Sequence, residues 1–470
     1  KDPRSLYELA QLQIDFDNIK SERLYTPIII PELRLQSTFD TARTTWITKI
    51  KAGGVFRLKG EKNTVFDLTL FPDYSELPLD FRQFSLQRLP ITYEEKRQFF
   101  IEGRAYYQMP VTLLRTRNIE YLEYGGKFYS SSENNDFALF FVKDSVFKDI
   151  LFAKYTYHLG EYTSVGFFSG LSKIDYNIAS LDLSHYFQKL NTQLKIQGSR
   201  IINREISLKY FELSRNVNTG LGGSFYYVDV DSGFLSLLNA GGLLSFDNMR
   251  EITGTLQYIK TTSIKNRETV VALEFWGHNT WNKKTDSSIY RENIVAGTVY
   301  YPPFIGFVGF QMGHLDFLNL NDNSYTLYVP GIAYYISSWK QVFIKIFLGK
   351  YLGKDFIRPD ITLNVSPFGM NTGIEAYFVK SILDSIGVIN FYGEYRTPIP
   401  KLLLKPSIVY TDNFREHSRN LDFNIVFVYE PGYLKGIYLA YQKSIERTEN
   451  NWITRSGKVI FKVKWEFKKI

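Results

Sequence analysis

Segment after segment of about ten residues alternates apolar and polar side chains, and this predicts an all-β fold: a single large transmembrane antiparallel β-barrel. Two further observations point the same way. Aromatic residues make up 17% of the chain, with 34 Tyr and 38 Phe, and these types favour strands and water–lipid boundaries. Helical periodicity is nearly absent, with only "SLYELAQL" near the start compatible with a short helix. The count is about 22 to 26 strands, each near the length that crosses a bilayer when tilted. Soluble strands average about five or six residues.

The last segment shows the pattern most plainly. In "KVIFKVKWEFKKI", Val459, Phe461, Val463, Trp465 and Phe467 fall on one face. Lys458, Lys462, Lys464, Glu466 and Lys468 fall on the other, with Ile460 the exception. A face this rich in lysine is either solvent-facing or the inside of a water-filled barrel. Before it, "NLDFNIVFVYEPGYLKGIYLAYQKS" reads as strand, turn, strand, with the turn at Glu430-Pro431-Gly432. Further hairpins are expected around Gly160-Glu161 and Lys265-Asn266. "NTGLGG", Asn218 to Gly223, is a turn or a strand start, because no helix pattern follows it.

Composition excludes several classes. The 470 residues include no cysteine, which rules out disulfides, thiolate metal sites and a cysteine nucleophile and suits an exported bacterial protein. The net charge is +8, but the basic residues are spread along the chain, so nucleic acid is not an expected partner. No apolar run reaches the length of a membrane helix. The opening "KDPRSLYELA" lacks the apolar core of a signal peptide, so an exported protein is expected to be present here in processed form.

The five histidines, His158, His185, His278, His314 and His417, show no metal-ligand spacing. No metal, cofactor or catalytic residue is expected, and the chain is not read as an enzyme. A barrel-embedded hydrolase assembled from separate strands, using His158 with Ser164 or His185 with Ser184, is the least favoured reading.

One stretch breaks the alternation. "FPDYSELPLDFRQFSLQRLPITYEEKRQFFIEG", Phe71 to Gly103, carries three prolines, many charges and the pair Phe99-Phe100. It is too apolar for disorder, and connections this long usually carry function. The expected organisation is a lead-in at residues 1–32 and a barrel from 33 to 470. Residues 71–110 form a plug inside the lumen or across one mouth, kept out of the sheet by Pro72 and Pro90. Its charges, Asp73, Glu76, Asp80, Glu94, Glu95, Lys96, Arg97 and Glu102, are the candidate gating or substrate-binding groups. They either pair with inward wall charges as structural anchors or line a pore and set its selectivity. Tyr93, Phe99, Tyr106 and Tyr107 are a candidate stacking surface for sugars.

This stretch also carries a resemblance. Together with the preceding "NTVFDLTL", it resembles the signature region of a bacterial outer-membrane barrel family of unknown function, commonly found C-terminal to a family-9-type carbohydrate-binding domain. The likeness lies in the step Phe71-Pro72-Asp73-Tyr74, the acidic spacer and the close "EKRQFFIEG". The strand pair "TWITKIKAGGVFRLKGEKNTVFDLTL" and the ending "VYEPGYLKGIYLAYQKS" with "KVIFKVKWEF" fit as well. The chain departs from the pattern in two places. No carbohydrate-binding domain stands before the barrel, and the terminal aromatic Phe467 is followed by Lys468, Lys469 and Ile470.

The resemblance implies the outer membrane of a Gram-negative bacterium and a carbohydrate association. The expected function is transport, translocation or binding of a polymeric or glycan-related substrate through a porin-like barrel occluded by an insert. The alternative is a structural or assembly barrel anchoring partner proteins or surface material. Expected partners are membrane lipid, glycan and accessory outer-membrane or periplasmic proteins.

Overall fold

Twenty-four strands, each antiparallel to the next, form a wall that closes on itself. The computed structural model describes residues 25–40, 45–60, 63–72, 94–113, 116–119, 122–144, 148–172, 176–202, 204–234, 248–265, 267–316, 323–337, 340–366, 370–380, 385–397, 399–414, 418–432, 435–448, 451–464 and 467–468. The strands are β1 (Tyr25–Asp40), β2 (Thr45–Gly60), β3 (Val65–Leu70), β4 (Leu122–Ser131), β5 (Asn135–Asp144), β6 (Lys148–His158), β7 (Thr163–Ser172) and β8 (Tyr176–Phe187). Next come β9 (Thr192–Ile201), β10 (Ile206–Arg215), β11 (Gly220–Val230), β12 (Met249–Ile264), β13 (Arg267–Asn282), β14 (Ser288–Tyr301), β15 (Phe304–His314) and β16 (Ser324–Ser337). The last are β17 (Lys340–Tyr351), β18 (Lys354–Val365), β19 (Met370–Lys380), β20 (Ser385–Arg396), β21 (Leu402–Asn413), β22 (Ser418–Gly432), β23 (Lys435–Thr448) and β24 (Asn451–Lys464).

The ladder closes where β1 meets β24, from Glu32↔Lys464 to Thr38↔Lys458. The short piece Phe467–Lys468 extends it to Ile28 and Ile29. Among the described residues the wall therefore begins at Tyr25, and residues 25–32, expected in the lead-in, belong to it. Pro27 and Pro31 conceal this in the sequence, since proline reads as a strand breaker. The structure accommodates Pro31 by pairing it with Gly54. A Cβ at Gly54 would meet the Ile30 carbonyl oxygen at 2.7 Å.

Period two decides which side each residue faces. On β24, Lys462 is fully buried on the lumen side, while Phe461 points outward and is 43% exposed. The lysine-rich face of the last strand is therefore the barrel interior. Ile460 faces inward too, against Val426, Val428, Tyr438 and Ala440. Around the rest of the wall the outward face presents large apolar side chains, among them Leu151, Leu181, Phe225, Leu273, Val308 and Ile332. Inward positions hold Gln197, Ser199, Glu251, Thr253, Glu292 and Asn424.

Such a barrel is apolar outside and polar inside, the reverse of a soluble protein. In water the outer face would cost about 25 cal/mol for each Å² of apolar surface; in lipid it costs nothing. Closure leaves each wall strand with neighbours on both sides, as a hydrocarbon environment requires. Outward aromatics cluster near strand ends: Tyr155, Tyr157, Phe304 and Tyr334 at one end, Trp46, Phe378 and Phe414 at the other. These are the girdles of the two interfaces. Among the described residues no helix is long and apolar enough to cross a membrane. The protein is an outer-membrane β-barrel.

The connections differ between the two ends. Those longer than five residues, at 71–121, 231–248 and 315–323, all lie at one end. The opposite end has only short turns, and β1 begins and β24 finishes there. Short turns face the periplasm in such barrels and long loops face outward. The segment that interrupts the alternation therefore departs from β3 and returns to β4 at the outer mouth.

Candidate gating site in the barrel lumen

Residues 94–113 and 116–119 run along the inner surface of the wall. They contain a single helical turn, α1 (Gln98–Ile101), and the 3-10 turns Arg104–Tyr107 and Thr116–Asn118. Phe99, Phe100, Met109, Val111, Leu113 and Ile119 are buried in one cluster with inward residues of β5 to β12, including Val142, Ile150, Ile178, Ile201, Val230 and Met249. Apolar side chains on the inner side of a wet lumen would be anomalous; here they have the insert to pack against. Burying each such side chain is worth about 2 kcal/mol relative to exposure.

Four charges fix the segment to the wall. Arg57, Asp67 and Lys127 are register partners across β2, β3 and β4. Arg57 grips Asp67 in a fork, Nε to Oδ1 at 2.5 Å and Nη2 to Oδ2 at 3.0 Å. Its Nη2 also donates to Glu102 of the insert. Lys127 Nζ lies 3.3 Å from Asp67 Oδ2 and donates to the carbonyls of Phe99 at 2.7 Å and Glu102 at 2.9 Å. Two cations and two carboxylates thus balance. Lys127 also satisfies carbonyls at the end of α1 that the helix leaves without partners.

A second fork ties the two ends of the described segment together. Arg97 donates to Glu95 from Nε at 2.8 Å and from Nη2 at 2.7 Å. Its guanidinium also reaches the carbonyls of Ile119 and Thr116, and Thr116 Oγ1 donates to Glu95 at 2.8 Å. Burial pushes the Glu95 carboxyl up, but the bonds from Arg97 and Thr116 outweigh it and hold the group below the usual carboxylate range. Arg97 lies over the Phe100 ring at 4.2 Å.

Three further contacts hold the segment. Val111 N–H donates to Gln197 Oε1 at 2.7 Å, and Gln197 Nε2 donates back to the Val111 carbonyl at 3.3 Å. Lys154, paired with Asp182 at 3.5 Å, donates to the Gln108 carbonyl. Gly103 has φ +71°, and a Cβ there would lie 2.6 Å from the Tyr129 ring. Only glycine meets both demands.

Of the residues singled out in the sequence, Asp73, Glu76, Asp80 and Tyr93 lie outside the described residues. Glu95, Arg97 and Glu102 come together as anchors. Glu94 is exposed and Lys96 half-buried at the start of the segment. The aromatic candidates are differently placed. Phe99 is 8% exposed and sits between Phe100 and Phe140. Tyr107 packs on Phe140 and donates to the Phe100 carbonyl, and burial raises its hydroxyl pKa. Phe99 is core, and Tyr107 is half-buried against that core. Tyr106 stacks on Tyr129 at 4.9 Å.

Sequence reasoning missed the wall partners Arg57, Asp67, Lys127, Lys154, Asp182 and Gln197. A signal existed for Asp67 and Lys127: each is a lone charge at an inward position of an otherwise apolar or small-residue strand, as in "VFDLTL" and "GGKFYSS".

The histidines are scattered. His158 Nε2 lies 2.8 Å from Asp136 Oδ2, and His185 Nδ1 is 2.8 Å from Thr163 Oγ1, both near the short-turn end. His278 sits in the lumen wall beside Thr280 and Glu251. His314 is exposed, and His417 lies outside the described residues. Among the described residues no group of three or more His, Asp or Glu is placed to hold a metal ion.

No known family profile matches the chain, and no curated protein matches it. Solved structures do. A Pseudomonas aeruginosa structure, OccK8 (OprE), aligns at 10% identity and a TM-score of 0.30, covering 95% of this chain and 98% of that one. Acinetobacter baumannii OccAB4 aligns at 10% identity and 0.30, covering 96% and 100%. Pseudomonas aeruginosa OpdK, solved with vanillate, aligns at 6% identity and 0.30, covering 94% and 99%. The architecture of this chain rests on its own strand pairing and faces.

Proposed function

We propose that this protein is a non-catalytic outer-membrane transport channel whose lumen is occluded, and gated, by the insert between β3 and β4. The observation that carries this reading is how the insert is held. Its apolar side packs on the wall, but its position is fixed by the balanced set Arg57, Asp67, Lys127 and Glu102. These anchors are buried while the insert is docked, and their charges regain hydration from the lumen when it leaves, whereas a wholly apolar seam gains none. A wall of 24 strands encloses an opening far wider than its own side chains fill, so an insert is what makes such a channel selective.

The resemblance to a carbohydrate-associated barrel family supports a polymeric or glycan-related substrate. Glycan and accessory envelope proteins are the partners that fit this reading.

The test is single-channel conductance in planar bilayers of the intact protein beside a variant lacking residues 75–102. The expected result is low or silent conductance for the intact chain and large, steady conductance for the variant. Equal conductance would overturn the gating role. Silence from both folded proteins would favour a structural barrel that anchors partner proteins or surface material.

A further inference from the structure

The lipid-facing side of β7 to β10 changes character near the outer mouth. Ser180, Ser199 and Leu208 are buried on the lumen side, so by period two Ala179, Leu181, Gly198, Arg200 and Lys209 point outward. Toward the short-turn end the outward positions of β9 are Leu194 and Ile196, and those of β10 are Phe211 and Leu213. Arg200 adjoins Ile201, where β9 ends, and Lys209 lies just past Ile206, where β10 begins. The two cations therefore stand where the apolar outer surface gives way to the headgroup level.

A notch opens beneath them. It has a volume of about 350 Å³, and Phe167, Ala179, Leu181, Gly198, Arg200 and Lys209 are among the residues that line it. Leu181 is 59% exposed and Phe167 48%. Gly198 leaves the floor bare: a Cβ built there meets nothing within 4 Å. The packing of the wall does not call for glycine at this position, and the space in front of it is empty.

The cations are available. Lys209 stands opposite Gly198 and Arg200 opposite Ser207, which makes them diagonal neighbours about 7 Å apart. The Arg200 side chain is 64% exposed and lies 3.9 Å from Glu205, itself 96% exposed. Lys209 is exposed, and its side chain makes no ion pair among the described residues. The nearby acids are engaged elsewhere. Asp229, opposite Lys209, pairs with Lys283 and, at 3.4 Å, with Arg250. Asp231 pairs with Lys283 and accepts from Ser207 Oγ at 2.7 Å.

What lies against this face is lipid, and the notch selects its chemistry. An acyl chain fits the apolar floor, while the stems of Arg200 and Lys209 lie along apolar surface with their heads raised to the headgroups. Arginine offers a planar fork that matches phosphate, and lysine a point charge. A phosphomonoester carries nearly two charges near neutral pH, which two cations balance; a phosphodiester carries one. We propose that the notch is a binding site for an outer-leaflet lipid whose headgroup bears a phosphomonoester. One acyl chain lies along Phe167, Leu181 and Gly198, and the phosphate is held between Arg200 and Lys209.

The experiment is native mass spectrometry of the full chain, released from detergent micelles after titration with diphosphorylated lipid A, its dephosphorylated form or phosphatidylglycerol. Lipid A is expected to be retained, and retention to fall at least about tenfold in R200Q/K209Q, as loss of charge-assisted hydrogen bonds requires. G198L, which fills the notch with a side chain that clashes with nothing in the wall, is expected to lower retention as well. Dephosphorylated lipid A and phosphatidylglycerol are expected to bind the unaltered protein as weakly as lipid A binds R200Q/K209Q. Should R200Q/K209Q fail to fold, G198L and the two control lipids decide.

Equal retention of dephosphorylated lipid A would overturn the proposal, since acyl chains alone would then explain binding. Equal retention of phosphatidylglycerol would overturn the phosphomonoester site. Unchanged retention in folded R200Q/K209Q would remove the cations from it, and unchanged retention in G198L would remove the notch.

Discussion

Lys127 holds more of the insert than any other wall residue described, since it meets Asp67, two carbonyls of the insert and Glu102. Lys127→Met leaves two carboxylates facing Arg57 alone, and removing one partner of a buried pair costs about 3–5 kcal/mol. Hydrogen exchange in residues 94–113 should quicken accordingly, and adding Glu102→Gln should recover part of the loss. If exchange in that region is unchanged by Lys127→Met, the charges do not hold the insert. Gly103→Ala meets a positive φ and the Tyr129 ring together, and such strain costs about 1–3 kcal/mol. It should loosen the same residues while the wall strands keep their protection.

Acid should act through Glu95. Its carboxyl titrates below its ordinary value when the insert is docked. The stabilisation is therefore fully present above the undocked pKa, about 4.3, and is lost as pH falls through the lowered value. Conductance or protease cleavage at the insert should stay flat from neutral pH to about pH 5 and rise only below about pH 4. A rise beginning near neutrality would assign the control to another group.

At the scale of the elements, the wall was legible because period two writes each strand's faces directly, as β24 does with Phe461 outward and Lys462 inward. The insert was legible as a failure of that pattern at Phe71. Its docking site was not, because Arg57, Asp67 and Lys127 are brought together only by the register of three strands. Two prolines hid the first part of β1, and their accommodation depends on the neighbouring strand, through Gly54 opposite Pro31. Phe99 looked like a surface aromatic because its burial is made by Phe100 and Phe140, and Phe140 is a tertiary neighbour.

For the whole molecule, the placement of long and short connections fixes its orientation, and the absence of native cysteine allows a clean check. Lys284 is exposed in the connection 283–287 at the long-loop end, and Lys189 is exposed in the opposite turn. Lys284→Cys in intact cells should react with a membrane-impermeant maleimide, and Lys189→Cys should react only after the outer membrane is opened. The reverse result would invert the barrel and place the insert at the periplasmic mouth.

The insert departs from the wall at Phe71 and rejoins it at Leu122, and those two points are already neighbours: Phe71 N–H donates to the Glu123 carbonyl at 2.7 Å. Among the described residues, undocking the insert therefore removes no strand and no rung of the ladder. The cost of opening is confined to the contacts of a loop whose ends are pinned side by side, and the freed loop regains chain entropy as it leaves. In a channel gated as proposed, opening and unfolding are separate equilibria in one molecule. Substitutions at Glu95, Arg97 or Glu102 can retune the first across orders of magnitude while the second stays where the twenty-four strands set it.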